Sequence, residues 1–307
     1  MKVNWNGVYP AVTTKFTSDF RLDIPAYNKN IDFQIESGVA GIIIGGSLGE
    51  ASTLTNEERM TLLQETISTS SGRVPALLNI AERTTTDAIA LAQMAEKNGA
   101  DGLMLLPPMQ YKADEHETTV YFKTVANNTS LPIILYNNPV DYKIAVTIPM
   151  LEALVSVENI QAIKESSRDI TNVTRQKNAF GDRYKILCGV DTIALECLAA
   201  GADGWVAGLV NAFPRETVVI FELVKAGRIE EALKIYRWFM PLLELDIHPK
   251  LVQYIKLAEV AAGIGTEPVR PPRLALEGEE RERISGIIDN GVASRPDLSI
   301  YEELKTF

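Results

Sequence analysis

Three times the chain closes a helix-like stretch on a glycine and passes directly into a short apolar run. Ser37-Gly-Val-Ala-Gly41 precedes Ile42-Ile-Ile44, Asn98-Gly-Ala-Asp-Gly102 precedes Leu103-Met-Leu-Leu106, and Ala200-Gly-Ala-Asp-Gly204 precedes Trp205-Val-Ala207. A glycine ending a helix and an apolar run behind it mark one helix-to-strand passage. The intervals between Gly41, Gly102 and Gly204 correspond to roughly two and four βα units of about 25 to 30 residues. Further apolar runs at 8–16, 74–81, 132–136, 160–164 and 185–190 fill the intervals. Their near-continuous hydrophobicity is what strands buried on both faces require, and the stretches between them, such as 87–96, have helical period. The expected fold is therefore α/β, a (β/α)8 TIM barrel over 1–226. An open doubly wound sheet is the alternative architecture, but the Gly-x-Gly-x-x-Gly turn that serves dinucleotide binding is missing.

Behind the eighth strand, 215–225, 229–245 and 249–262 have helical character, Pro268-Val-Arg-Pro-Pro-Arg273 forms a stiff extended break, and a charged helix begins at Glu277. This exceeds what one closing helix needs. It predicts a C-terminal helical extension over 227–307, packed on the barrel.

Composition narrows the function. In 307 residues there are 40 acidic and 30 basic side chains, a formal charge of -10, with no Lys/Arg cluster to hold a phosphate backbone. Nucleic acid is not an expected partner. The first ten residues, Met1 to Pro10, contain no apolar targeting core, and the runs at 42–44 and 103–106 are far too short to cross a bilayer. The expectation is a cytoplasmic protein with no membrane partner. Cys188 and Cys197 form no Cys-x-x-Cys pair and read as ordinary buried thiols. With only His116 and His248 available, a histidine-rich metal site is excluded. His116 lies in Lys112-Ala-Asp-Glu-His-Glu117, which reads as a solvated helix start rather than a hydrolase base, and no Gly-x-Ser-x-Gly elbow accompanies it.

Polar residues at the carboxyl ends of barrel strands face the active-site mouth. That rule selects Gly45-Gly-Ser-Leu-Gly-Glu50, Tyr136-Asn-Asn-Pro139, Lys164-Glu-Ser-Ser167, Gly189-Val-Asp191 and Gly208-Leu-Val-Asn211. Lys164 ends the sixth strand; an amine partly desolvated there loses its proton more easily and can attack a carbonyl. Taken alone it reads equally as a lysine paired with Glu165 and turned to water. Tyr136 can place a phenol near the amine to carry protons, or be a plain core aromatic. The turn Gly46-Ser-Leu-Gly49 offers backbone N–H groups and the Ser47 hydroxyl to a carboxylate, or simply opens a helix. A nucleophilic lysine, a phenol and an anion-binding turn on three strands of one barrel are jointly less easily dismissed than each alone.

Gly46-Ser-Leu-Gly-Glu50, Tyr136-Asn-Asn-Pro139 and Ile163-Lys-Glu-Ser166, in that order and spacing, resemble the dihydrodipicolinate synthase and N-acetylneuraminate lyase family of class I Schiff-base enzymes. The likeness runs from Gly7-Val-Tyr-Pro10 through the tail. It implies a TIM barrel with a C-terminal helical extension, no metal or cofactor, and a lysine imine with a 2-oxo acid. By position, Lys164 is implied as the Schiff-base residue and Tyr136 as general acid/base. Ser47 is implied as proton relay and carboxylate contact, with Leu48 supplying a backbone N–H, and Gly189 and Val206 as pocket lining. The family also implies a homo-oligomer, a tetramer of two tight dimers or a dimer.

Three departures narrow the substrate. Leu48 replaces the second hydroxyl of the family's Gly-Thr-Thr-Gly-Glu motif. Asp141 stands where the synthase carries an arginine that grips its aldehyde substrate's carboxylate, a loss that costs affinity and argues against a lysine-pathway synthase. Gln110, in Pro107-Pro-Met-Gln-Tyr111, stands where the synthase sends a tyrosine across the dimer interface, with Tyr111 one residue away. A compact substrate is expected. Gly-Ser-Leu-Gly-Glu, Tyr-Asn-Asn-Pro and the tail Asp246-Ile-His-Pro-Lys250 are most similar to the hydroxyproline-pathway deaminases. That likeness implies a small 2-oxo acid or its cyclic imine as partner, best matched by 1-pyrroline-4-hydroxy-2-carboxylate, converted to 2-oxoglutarate semialdehyde with release of ammonia. The alternatives are an aldolase or dehydratase of a 2-oxo-3-deoxy sugar acid, a 4-hydroxy-tetrahydrodipicolinate synthase, and a catalytically retired ligand-sensing barrel.

Overall fold

The structure is a computed structural model that describes residues 1–305. Eight strands run parallel among the described residues: β1 (Gly7–Pro10), β2 (Ile42–Ile44), β3 (Ala76–Ile80), β4 (Gly102–Leu105), β5 (Ile133–Asn137), β6 (Ile160–Glu165), β7 (Lys185–Cys188) and β8 (Gly204–Ala207). Each pairs with its neighbour in sequence, β1 pairs with β8, and the bridge from Ala11 to Ile43 closes the ring between β1 and β2. The fold is the expected (β/α)8 TIM barrel. Its strands are apolar because both faces are covered. Ile42, Ile43, Leu77, Leu103, Ile134 and Ile163 are all buried, each contributing about 1.5–3 kcal/mol relative to exposure.

The first apolar run departs furthest from expectation, since ladder pairing stops near Ala11 instead of continuing to Phe16, while 74–81 and 185–190 shorten to Ala76–Ile80 and Lys185–Cys188. Beyond it, Thr13, Thr14 and Lys15 are buried polar side chains whose partners come from elsewhere in the chain. The Thr14 hydroxyl donates to the Gly49 carbonyl at 2.7 Å, and Lys15 Nζ lies 2.6 Å from Glu259 Oε1. The helix expected over 229–245 ends at Leu243, then tightens into the 3-10 turn Glu244–Ile247. Helix Leu251–Ala261, helix Gly278–Ala293 and the 3-10 segment Ser299–Lys305 follow in the tail. No helix among the described residues is long and apolar enough to cross a membrane.

Two buried ion pairs fix where the tail sits. Lys256 Nζ reaches Glu50 Oε1 at 2.6 Å, and the Lys15–Glu259 pair has the same separation; all four side chains are fully buried. Glu50, in the left-handed region at φ 55°, also accepts from the Arg270 backbone N–H at 3.0 Å. The glutamate of the Gly-Ser-Leu-Gly-Glu motif thus ties the barrel to the tail. Both pairs converge on helix Leu251–Ala261, which holds the preceding turn Glu244–Ile247 over the carboxyl ends of the strands.

Candidate active site

The hollow at the mouth has a volume of about 420 Å³. Its floor follows from strand register. Tyr136 on β5 and Lys164 on β6 are direct Cα partners in the ladder, so their side chains emerge side by side. Lys164 is only 6% exposed and its Nζ stands 3.9 Å from the centroid of the Tyr136 ring. Alternation sends Glu165 to the other face, where it accepts from Asn137 Nδ2 at 2.9 Å, Gln176 Nε2 at 2.7 Å and the Ser167 N–H at 2.8 Å. A Lys164–Glu165 pair is therefore not formed. Among the described residues no carboxylate reaches ion-pair distance of the Lys164 amine. Burial pushes the Lys164 pKa down, and the more distant Tyr142, Asp246 and Asp191 oppose this only in part.

Tyr136 is pushed up to about 12, chiefly by burial, with a hydrogen bond from Asn138 working against it. Asn138 Nδ2 donates to the Tyr136 hydroxyl at 3.2 Å and to Asp141 Oδ2 at 2.7 Å, while its Oδ1 accepts from the Asp141 N–H at 3.1 Å. The asparagine thus caps the single helical turn Pro139–Tyr142 and fixes the phenol at once. That turn aims Tyr142 back at the mouth. Its ring meets Tyr136 edge-on, with centroids 5.6 Å apart, and its hydroxyl lies 2.9 Å from Ser47 Oγ.

Ser47 is exposed at the rim and Leu48 is buried beneath it. Among the described residues the N–H groups of Ser47 and Leu48 donate to no protein acceptor, which leaves two donors for a carboxylate. Gly189 is required sterically: a Cβ there would lie 2.7 Å from Lys164 Cε and 2.1 Å from Ser166 Oγ. Val206 on β8 forms the apolar wall. Lys164, Tyr136, Ser47, Leu48, Gly189 and Val206 thus surround one cavity.

Other residues singled out by sequence lie elsewhere or serve the frame. Asp191 accepts from Trp205 Nε1 at 2.9 Å and from the Leu209 N–H at 2.8 Å, which orders the end of β8. His116 sits in the exposed first turn of helix Glu115–Ala126, whose cap is Asp114. Gln110 and Tyr111 are exposed and do not line the cavity. His248 borders the cavity, stacked on Tyr254 at 4.7 Å between centroids. Among the described residues no group of three His, Cys, Asp or Glu side chains converges as a metal site requires.

Sequence reasoning gave no site role to Tyr142, to Asn138 beyond its place in Tyr136-Asn-Asn-Pro139, or to Asp246. The spacing of Asn138 to Tyr142 across one capped turn was the available signal for the first two. Asp246 arrives from the turn Glu244–Ile247 and fills the space left by Gly208, where a Cβ would lie 2.1 Å from its Oδ1. Burial pushes its pKa well up, and Asp191 adds to the effect.

A closed parallel barrel with a buried lysine beside a phenol at its mouth defines an enzyme of the class I, lysine-imine lyase type. The chain belongs to the Dihydrodipicolinate synthetase family, whose description it matches over residues 4–290. The 4-hydroxy-tetrahydrodipicolinate synthase of Exiguobacterium sibiricum is 33% identical over 275 residues, covering 89% of this chain and 92% of that protein. The structure of the corresponding synthase from Methylacidiphilum fumariolicum superposes with a TM-score of 0.89 at 27% identity, covering 97% of this chain and 99% of that one. A dihydrodipicolinate synthase of Bacillus anthracis gives a TM-score of 0.91 at 26% identity, covering 96% and 100%.

Proposed function

We propose that the protein acts on a small 2-oxo acid or its cyclic imine through an imine of Lys164, and that its substrate is 1-pyrroline-4-hydroxy-2-carboxylate. The observation that carries this reading is the Lys164 amine itself, buried, without a carboxylate in contact among the described residues, and 3.9 Å from the Tyr136 ring centroid. Such an amine is neutral more often than a solvated lysine and is free to add to a carbonyl or imine carbon.

In the proposed sequence the substrate carboxylate sits on the Ser47 and Leu48 N–H groups. Lys164 adds at C2 and the ring nitrogen departs with a proton from Tyr136, leaving a primary amine on C5. The Tyr136 phenolate takes a C3 proton, with the protonated imine as electron sink, and the C4 hydroxyl is expelled as water. Shift of the double bond gives an imine at C5, whose hydrolysis releases ammonia, and a second water hydrolyses the C2 imine to free 2-oxoglutarate semialdehyde and the Lys164 amine. The net reaction is substrate plus one water to semialdehyde plus ammonia.

The charge at the mouth supports a substrate that exposes an amine. Asp141 lines the cavity where the family resemblance puts an arginine, and Asp246 faces the same space. An ammonium there would pair with the two acids and favour the ionised form of Asp246, whereas a second substrate carboxylate would meet both acids beside the Arg168 guanidinium that also lines the cavity. A 4-hydroxy-tetrahydrodipicolinate synthase is the second reading, favoured by the names of the relatives. A product assay separates them. The deaminase releases ammonia and semialdehyde from the pyrroline, while the synthase consumes pyruvate only when an aldehyde acceptor is added. Pyruvate consumption with the acceptor and no ammonia from the pyrroline would overturn the first reading.

A further inference from the structure

The buried amine has a connection to water that runs through this chain alone. Ser47 is exposed, its Oγ lies 2.9 Å from the Tyr142 hydroxyl, and Tyr142 is half-buried against the face of the site that holds Tyr136 and Lys164. Of the ionisable neighbours of Lys164, Tyr142 acts most strongly on its charge. The turn Pro139–Tyr142 that delivers it is locked by Asn138 and by the Lys143 N–H to the Pro139 carbonyl at 3.1 Å. A phenol held this way and bonded to a solvated hydroxyl can pass a proton inward and recover one from outside. Gln110 and Tyr111 stand off the cavity in the same chain.

We propose that Tyr142 and Ser47 form a proton path from solvent to the oxygen that leaves C2 of a 2-oxo acid during imine formation. The inference rests on the lysine-imine reading above. After Lys164 adds to the carbonyl, the neutral carbinolamine carries a hydroxyl on C2. The nitrogen lone pair forms the C=N bond, the C–O pair goes to oxygen, and that oxygen takes the Tyr142 proton and departs as water. Tyr142 takes the Ser47 proton, and Ser47 takes one from a solvent water, leaving hydroxide in bulk. The protonated imine is the other product, so charge and atoms balance. Burial pushes Tyr142 up to about 12, so the phenol carries the proton it is asked to give near neutral pH.

The probe is pyruvate, and the measurement is the rate at which a borohydride-trapped adduct accumulates on the full chain. In Tyr142→Phe the trapping rate falls about 100-fold, the typical contribution of a placed proton donor. The final yield of adduct and the pyruvate concentration for half-maximal rate stay those of the unmodified protein. Ser47→Ala, at an exposed position, slows trapping as well, and the double variant is no slower than the slower single one, because both lie on one path. The solvent deuterium isotope effect on trapping, expected in the unmodified protein, shrinks in both variants, which a packing defect alone would not do. Trapping by Tyr142→Phe at the unmodified rate overturns the path while leaving the imine reading intact. Absence of any adduct in the unmodified protein overturns both.

Discussion

Lys164 and Lys256 are both buried near the same end of the barrel, yet their surroundings differ in one respect. Lys256 touches a carboxylate, Glu50 Oε1 at 2.6 Å, and Lys15 likewise touches Glu259. Lys164 faces an aromatic ring and has no carboxylate in contact among the described residues. Burial pushes the pKa of all three amines down. For Lys15 and Lys256 the adjacent glutamate answers this by direct contact, so the amine is used up in a bond that anchors the tail. For Lys164 only distant groups oppose it, so the lone pair remains available. A buried lysine is structural or reactive according to what stands within about 4 Å of its nitrogen, and burial alone does not decide.

The largest effect that can break this contrast is at Lys164 itself. Lys164→Ala is expected to abolish borohydride trapping and turnover while leaving the thermal unfolding transition in place, since no ion pair is lost. Lys256→Met should do the reverse. Leaving Glu50 buried without its partner is expected to lower the unfolding free energy by about 3–5 kcal/mol in a denaturant titration, while the folded fraction still traps pyruvate. If Lys256→Met lost trapping with its fold intact, the clamp would belong to the site and the contrast would fail.

Gly189→Ala tests the geometry more gently. Its new Cβ presses on Lys164 Cε and Ser166 Oγ, so the amine must swing from its place, and trapping should slow by up to about 100-fold with little change in stability. The smallest effect is in pH dependence. Folded Lys164 releases its proton at lower pH than the unfolded chain does. Between its lowered value and the ordinary lysine range the unfolded state holds more protons, so stability rises with pH across that window. Lys164→Met should remove that part of the slope. In the unmodified protein the trapping rate should climb with pH and level off below the range typical of lysine.

How far the site could be read from sequence depends on whether its parts are local. Lys164 and Tyr136 were legible because each ends a continuous apolar strand, and strand ends at a barrel mouth project inward in a fixed way. Gly189 was selected by the strand-end rule and given its pocket role by resemblance; its steric reason, the approach of Lys164 Cε, needs the third dimension. Tyr142 was missed because its direction depends on a four-residue turn set by one asparagine side chain. Asp246 was missed as a site residue because its place is set by two ion pairs more than 200 positions apart in sequence. The same long-range pairing explains the first strand. Thr13 to Lys15 extend an apolar run in sequence, but Lys15 is recruited by Glu259 and leaves the ladder.

The contrast between the two kinds of lysine is tested most directly by mapping where pyruvate attaches. The unmodified protein is incubated with pyruvate, reduced with borohydride, digested and analysed by mass spectrometry. The expected result is a reduced pyruvate adduct on the peptide containing Lys164 and none on those containing Lys15 or Lys256. An adduct distributed over exposed lysines, or none on Lys164, would contradict the account.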